Sequence, residues 1–171
     1  MPARLNGSVA DRDVFYSAYL STYIDRDVRE LSGAIDSLKF MRLITSVAAR
    51  TGQLLNFKGI ADDADIDQAT AKNWLNILQT LGIIFYLHPY SNNVLKRTIK
   101  TPKLYFYDTG LVCYLTKWSS PEVAMNGAMS GPLYENFVVS EIVKSYRHNA
   151  KTPYLYYYRD KDAREIDLLI E

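Results

Sequence analysis

The stretch from Asn56 to Leu81 constrains the fold more than any other. Asn56 stands where a helix N-cap belongs, and the helix it opens runs to about Asp63. A tight polar turn follows, Ala64-Asp-Ile-Asp67, with Ile66 as its inward apolar residue. A longer helix from about Gln68 to Leu81 then carries Trp74, Leu75, Leu78 and Leu81 on one face. Short helix, tight turn and second helix form the helix-turn-helix arrangement. Gly82 ends the second helix, Ile83-Ile-Phe-Tyr-Leu87 starts a strand, and Leu104-Tyr-Phe-Tyr107 reads as its partner. A helix over 36–50 precedes the unit. It is capped by Asp36 or Ser37, carries Phe40, Met41, Ile44, Val47 and Ala48 as its apolar stripe, and ends at Thr51-Gly52. Three helices and a hairpin predict a winged helix over 35–117.

Flanking segments extend this plan. A helix over 14–32 is expected from Val14, Ala18, Tyr19, Tyr23, Val28 and Leu31, and residues 1–34 read as a helical arm. Asp25-Arg-Asp-Val-Arg-Glu30 alternates charge along it, as a solvated face or a docking surface would. Asp108-Thr-Gly110 closes the wing and starts a short helix through Leu115. Ser119-Ser-Pro-Glu122 and Asn126 to Pro132 are small, polar and Gly-containing, which places a linker at 118–130. A helix over 132–148 follows, with Leu133, Phe137, Val138, Ile142 and Val143 expected to be buried and Glu135 and Glu141 on the same face. Two strands end the chain, Tyr154 to Tyr158 and Glu165 to Glu171. The fold class expected is α+β and helix-rich.

Bulk properties exclude several functions. The 171 residues carry a formal net charge of +1, so nucleic-acid binding would have to come from a local patch. No apolar run approaches the roughly 20 residues a membrane span needs, and the N-terminus has no signal-peptide core, so a cytoplasmic protein without membrane contact is expected. The one cysteine, Cys113, lies in Leu111-Val-Cys-Tyr-Leu115 and reads as a buried, inert hydrophobe. The two histidines, His88 and His148, are far apart in sequence, which argues against a zinc site or a histidine-based triad.

Two constellations could carry function. On the second helix of the helix-turn-helix, Gln68, Thr70, Lys72, Asn73, Asn76 and Gln79 offer amides and hydroxyls suited to base edges. The wing adds Lys96, Arg97, Lys100 and Lys103. Residues 40–107 hold eight Lys or Arg against four acids, a local +4. Those acids, Asp62, Asp63, Asp65 and Asp67, cluster in the first helix and turn, where they would repel phosphate. Winged helices also serve as protein-docking modules, and both readings stand at this level. The second constellation is acidic. Glu165 and Asp167 share one strand face because side chains alternate, and Glu135 precedes them on a helix. Carboxylates converging in this way can hold Mg²⁺ for phosphodiester cleavage. They can equally be solvated acids at an exposed strand end.

Five segments carry a family resemblance: Tyr23-Ile-Asp-Arg-Asp-Val-Arg-Glu-Leu31, Ala48-Ala-Arg-Thr-Gly-Gln-Leu-Leu-Asn56, Lys100-Thr-Pro-Lys-Leu-Tyr-Phe-Tyr-Asp-Thr-Gly-Leu111, Gly131-Pro-Leu-Tyr-Glu-Asn-Phe-Val138 and Arg164-Glu-Ile-Asp-Leu-Leu-Ile-Glu171. In these the chain resembles the C-terminal region of prokaryotic AAA-type ATP-binding proteins, a region catalogued as a domain of unknown function. The resemblance implies an N-terminal P-loop ATPase, a winged helix, and then a domain similar to the PD-(D/E)xK nuclease fold over 131–171. It places Glu135 at the helix carboxylate and Asp167 at the first strand carboxylate, with an acid-x-Lys pair on a following strand that this sequence does not reach, so the nuclease-like domain is expected to be truncated. No G-x-x-x-x-G-K-[ST] occurs in the sequence. The expectation is therefore a fragment without catalysis or cofactor of its own. ATP and Mg²⁺ would belong to the parent protein, and the partners would be DNA and the ATPase portion.

Overall fold

The computed structural model describes residues 9–32, 35–91, 101–160, 162 and 164–171. Helix α1 (Val9–Thr22) continues through a π-helical stretch (Tyr23–Val28) into the short α2 (Arg29–Ser32). Then come α3 (Ser37–Ala49), α4 (Phe57–Ala64) and α5 (Gln68–Thr80), and the strands β1 (Ile84–Pro89) and β2 (Lys103–Phe106). The chain finishes with α6 (Thr109–Leu115), α7 (Pro121–Asn126), α8 (Ser130–His148), β3 (Leu155–Arg159) and β4 (Glu165–Ile170). The protein is a helix-rich α+β fold around one four-stranded sheet of order β2-β1-β3-β4. Among the described residues no helix is long and apolar enough to cross a membrane.

Side-chain caps set the helix starts. Asp36 Oδ1 accepts from the Leu38 and Lys39 N–H groups at 2.9 and 3.2 Å, and Asn56 accepts from Gly59 N–H at 3.0 Å. Asp65 leaves α4 in a left-handed conformation, φ 54°, which a short polar side chain tolerates. Asp67 then opens α5: one carboxylate oxygen accepts from Thr70 N–H at 2.9 Å and the other from its hydroxyl at 2.7 Å. Ile66 packs inward between the two helices. Gly82, at φ 68°, turns the chain from α5 into β1.

The hairpin is buried on both faces. β1 and β2 pair antiparallel, with Ile84 opposite Phe106 and Leu87 opposite Lys103. Ile84, Leu104 and Phe106 join the core that α3, α4 and α5 build from Phe40, Leu43, Ile44, Val47, Ile60, Leu75 and Leu78. The alternate residues Phe85, Leu87 and Tyr105 point the other way, into a second core with Val139 and Val143 of α8 and Leu155 and Tyr157 of β3. β1 also pairs parallel with β3, His88 opposite Tyr156, and β3 pairs antiparallel with β4. A hairpin expected to project as a wing is therefore one half of a sheet, with β2 at its edge and β1 paired to β3 inside, that joins both halves of the chain.

Other differences have local causes. The segment expected as a linker holds α7, with Pro121 in its first turn and the Ser120 hydroxyl accepting from Val123 N–H at 3.3 Å. On α1, Tyr16 and Leu20 are buried while Val14, expected inside, is 70% exposed. Aromatic rings choose that face: Tyr16 meets Phe15 edge-on at 5.1 Å and lies 5.5 Å from Tyr114. The π-helical stretch then shifts the phase, so Val28 is buried and Leu31 exposed. Phe137, expected in the core, is half-exposed, because α8 turns Asn136 and Ser140 inward instead. Cys113 is half-buried, and burial pushes its thiol pKa up, consistent with an inert side chain.

Asn136 is wholly buried and fully used. Its Oδ1 accepts from Thr51 Oγ1 at 2.6 Å and Phe106 N–H at 2.8 Å. Its Nδ2 donates to the Phe106 carbonyl at 3.2 Å and to Thr109 Oγ1 at 2.9 Å. One amide thus ties α8 to the loop after α3, to β2 and to the start of α6. A second tie fixes α1: the Tyr16 hydroxyl donates to Asp108, 3.1 Å from each carboxylate oxygen, while Asp108 caps α6 through Gly110 N–H at 2.8 Å. A Cβ at Gly110 would lie 2.2 Å from that hydroxyl.

Asn136→Ala leaves buried donors and acceptors unpaired and should cost about 3 kcal/mol in urea unfolding; a loss under about 1 kcal/mol contradicts the keystone role. Gly110→Ala should free α1 from α6, seen as faster amide exchange across α1 with α3 to α5 unchanged.

Candidate functional site

Lys103 opens β2 with its ammonium inside the protein, the side chain 5% exposed. Its Nζ lies 3.0 Å from Glu135 Oε1 on α8 and 3.0 Å from Asp167 Oδ1 on β4, and it also bonds Glu165 Oε1. The Tyr105 hydroxyl donates to Glu135 Oε1 at 2.5 Å, and the Tyr157 ring lies 5.8 Å from Nζ. Burial alone would lower the Lys103 pKa. Hydrogen bonds donated to Glu165, Glu135 and Asp167 outweigh it, so the pKa is raised and the ammonium stays charged. Burial, then the Glu135 carboxylate, raises Tyr105 far above its ordinary value, so its phenol remains a donor.

The strand period explains half of this arrangement. Lys103 and Tyr105 share a face of β2, and Glu165 and Asp167 share a face of β4. Only the order of the sheet, across β1 and β3, brings the faces together. Gly52, at φ 75°, lets the loop after α3 pass beside the Glu135 carboxylate, and that loop is fastened to β2 by Gly52 N–H to the Leu104 carbonyl at 2.8 Å.

The three acids considered as metal ligands, Glu135, Asp167 and Glu165, do converge, but on an ammonium. Among the described residues no group of three or more His, Cys, Asp or Glu side chains is arranged to hold a metal ion. With the Lys103 ammonium at their centre, these residues as placed do not fit Mg²⁺. Lys103 was expected among the wing's phosphate contacts. Buried, with three carboxylate partners, it cannot serve there. Its strand phase, shared with Tyr105, was the available signal for an inward side chain. Tyr105 itself carried no signal of a polar role in sequence.

The other nucleic-acid candidates divide. Gln68, Lys72, Asn73, Asn76 and Gln79 are exposed along α5. Thr70 is half-buried and its hydroxyl is spent on Asp67. Lys72 Nζ lies 5.2 Å over the Phe57 ring. Lys96, Arg97 and Lys100 lie outside the described residues. The neighbouring acids are engaged: Asp62 with Lys58 at 2.6 Å, Asp63 with Arg50 at 2.6 Å and Asp65 with Lys39 at 3.0 Å. Hydrogen bonds from Ser46, Lys39 and Thr70 hold the carboxyls of Asp63, Asp65 and Asp67 below the usual range.

These features define a helix-rich α+β protein whose helical half and C-terminal half are locked together by a buried lysine. The chain belongs to the family described as Domain of unknown function (DUF8612), which it matches over residues 1–122. Residues 130–171 match a second family, Domain of unknown function (DUF4143). Over 161 residues, 94% of the chain, it is 29% identical to Uncharacterized protein Mb2031c of Mycobacterium bovis and to Uncharacterized protein Rv2008c of Mycobacterium tuberculosis. The chain spans 36% of the length of these relatives. No solved structure matches it.

Lys103→Met removes the cation and leaves Glu135, Glu165 and Asp167 facing one another. At pH 7 it should cost about 3 kcal/mol in stability. Because its partners raise the Lys103 pKa, the cation's contribution is complete below the ordinary lysine value and is lost as pH rises beyond it, so the deficit relative to the parent sequence should hold up to about pH 10 and shrink above it. A deficit independent of pH in thermal melts would contradict the charge-centred role.

Proposed function

We propose that this chain is part of a longer AAA-type ATP-binding protein. In it, α4 and α5 work as a helix-turn-helix, with β1 and β2 in the wing position, that contacts duplex DNA and couples it to the ATPase. The match of residues 130–171, together with the length of the mycobacterial relatives, supports a larger parent. The observation that carries the DNA reading is the exposed row Gln68, Lys72, Asn73, Asn76 and Gln79 on α5. It has amide heads spaced along one helix and no acid within α5. Such heads suit the donor and acceptor pattern of base edges in the major groove.

Charge sets the character of this binding. Lys72 is the one cation of that row, so α5 alone would hold phosphate weakly, and Lys96, Arg97 and Lys100 would supply most of the attraction. Coupling follows from rigidity. α5 packs on a hairpin whose other face is held by α8 and β3, and Lys103 joins that hairpin to α8 and β4. A force applied to one half would move the other as a body. The sequence holds no P-loop, so ATP hydrolysis would be the work of the parent's ATPase portion.

Fluorescence anisotropy with labelled duplex DNA tests the reading. Binding should be measurable at low salt and fall steeply as salt rises. Paired Asn73→Asp and Asn76→Asp changes should weaken it at least about tenfold, and Lys96→Ala with Arg97→Ala should flatten the salt dependence by about two phosphate contacts. Absence of binding at low salt, or indifference to both pairs, refutes DNA contact and leaves a docking role for the same helices.

A further inference from the structure

Helix α3 carries two apolar stripes, and the core uses one. Phe40, Leu43, Ile44, Val47 and Ala48 are buried. Leu38, Met41, Thr45 and Ala49 lie outside that stripe, Met41 still packed partly on the core, and line an open groove of about 430 Å³. Leu38 is 63% exposed, which a soluble helix start does not require. Beside this stripe runs a second row, Arg42, Ser46 and Arg50, and Asp63 of α4 completes the lining.

The rim is cationic after its internal pairs are counted. Arg50 Nη1 donates to the Ser46 hydroxyl at 2.6 Å and lies 2.6 Å from Asp63 Oδ2, and the Ser46 hydroxyl donates to Asp63 at 2.7 Å. That satisfies Arg50 and Asp63 and holds them against the groove wall. Arg42 makes no ion pair among the described residues, although its charge helps hold the Asp65 carboxyl below the usual range. A groove with an apolar floor and one guanidinium outside any ion pair beside it is matched by an apolar row flanked by carboxylates. The floor also has a shape. Thr45 and Ala49 are small, so a partner backbone can approach α3 closely there, while Leu38 and Met41 offer larger contacts nearer its start. From Leu38 to Ala49 the helix rises roughly 16 Å, the length of about eleven helical residues.

We propose that this groove is the docking site for an amphipathic helix of a protein partner, one whose apolar row carries Asp or Glu on the side facing Arg42. The apolar floor and the Asp63 carboxylate disfavour nucleic acid there. No groove residue belongs to the α5 row, so this surface can be altered without touching the DNA-contact residues.

Two labelled, stapled helical peptides with one apolar row, flanked by Glu in one and by Lys in the other, probe the whole chain by anisotropy. The acidic peptide should bind, and the basic one should bind at least about tenfold more weakly. Arg42→Glu, an exposed change, should invert that preference. Thr45→Trp should fill the groove and abolish both, with circular dichroism and thermal melts confirming the fold. Equal binding of the two peptides, no binding of either at about millimolar concentration, or binding untouched by Thr45→Trp overturns the proposal. Sedimentation velocity supplies the last outcome: self-association that Thr45→Trp abolishes would assign the groove to a second copy of this chain and overturn the partner reading.

Discussion

The Lys103 ammonium, buried among Glu135, Glu165 and Asp167, is the interaction on which the arrangement of the two halves depends. Taking a lysine out of water costs several kcal/mol, and one carboxylate rarely offsets it. Three carboxylates from two elements do so here, with the Tyr105 phenol engaging Glu135 as well. Because the partners come from α8 and β4 while the lysine comes from β2, the charge is satisfied only when both halves are folded and docked. The cluster is therefore a statement about assembly before it is one about chemistry.

The rest of the junction follows from that docking. The β1–β2 hairpin can be apolar on both faces because α3 to α5 cover one and α8 with β3 cover the other. Asn136 then meets four polar partners at the place where β2, α6 and the loop after α3 come together. A buried amide so fully paired specifies one register of α8 on the hairpin, which an apolar residue could not do. Two surfaces are left outward on the helical half. The α5 row is amide-rich, and the α3 groove is apolar with a cationic rim. As proposed, they would take different partners, and the packed core between them would pass engagement at one to the other as a change of position.

Much of the helical half was legible from single residues. Asp36, Asn56 and Asp67 each stand one residue before the helix they cap, and Gly82 marks the turn into β1. The strands of the hairpin and of the terminus also read correctly from aromatic and β-branched runs. The phase of α1 and α8 did not. Val14 and Phe137 are apolar and yet exposed, because aromatic packing on α6 and the inward amide of Asn136 set the rotation of each helix, and neither leaves a mark in a hydrophobic pattern.

What the sequence determined by itself is local: where helices start and stop, which strand residues share a face, and that Glu165 and Asp167 project together. Such features depend on contacts within a few residues along the chain. The tertiary structure alone decided that a lysine in an apparently basic wing would become the centre of an acidic cluster. The physical reason is the parallel pairing of β1 with β3, at His88 and Tyr156, which carries β4 to the Lys103 side chain. Whether a charge becomes a surface contact or a buried counter-ion depends on what lies opposite it, and that is set by strands separated by tens of residues.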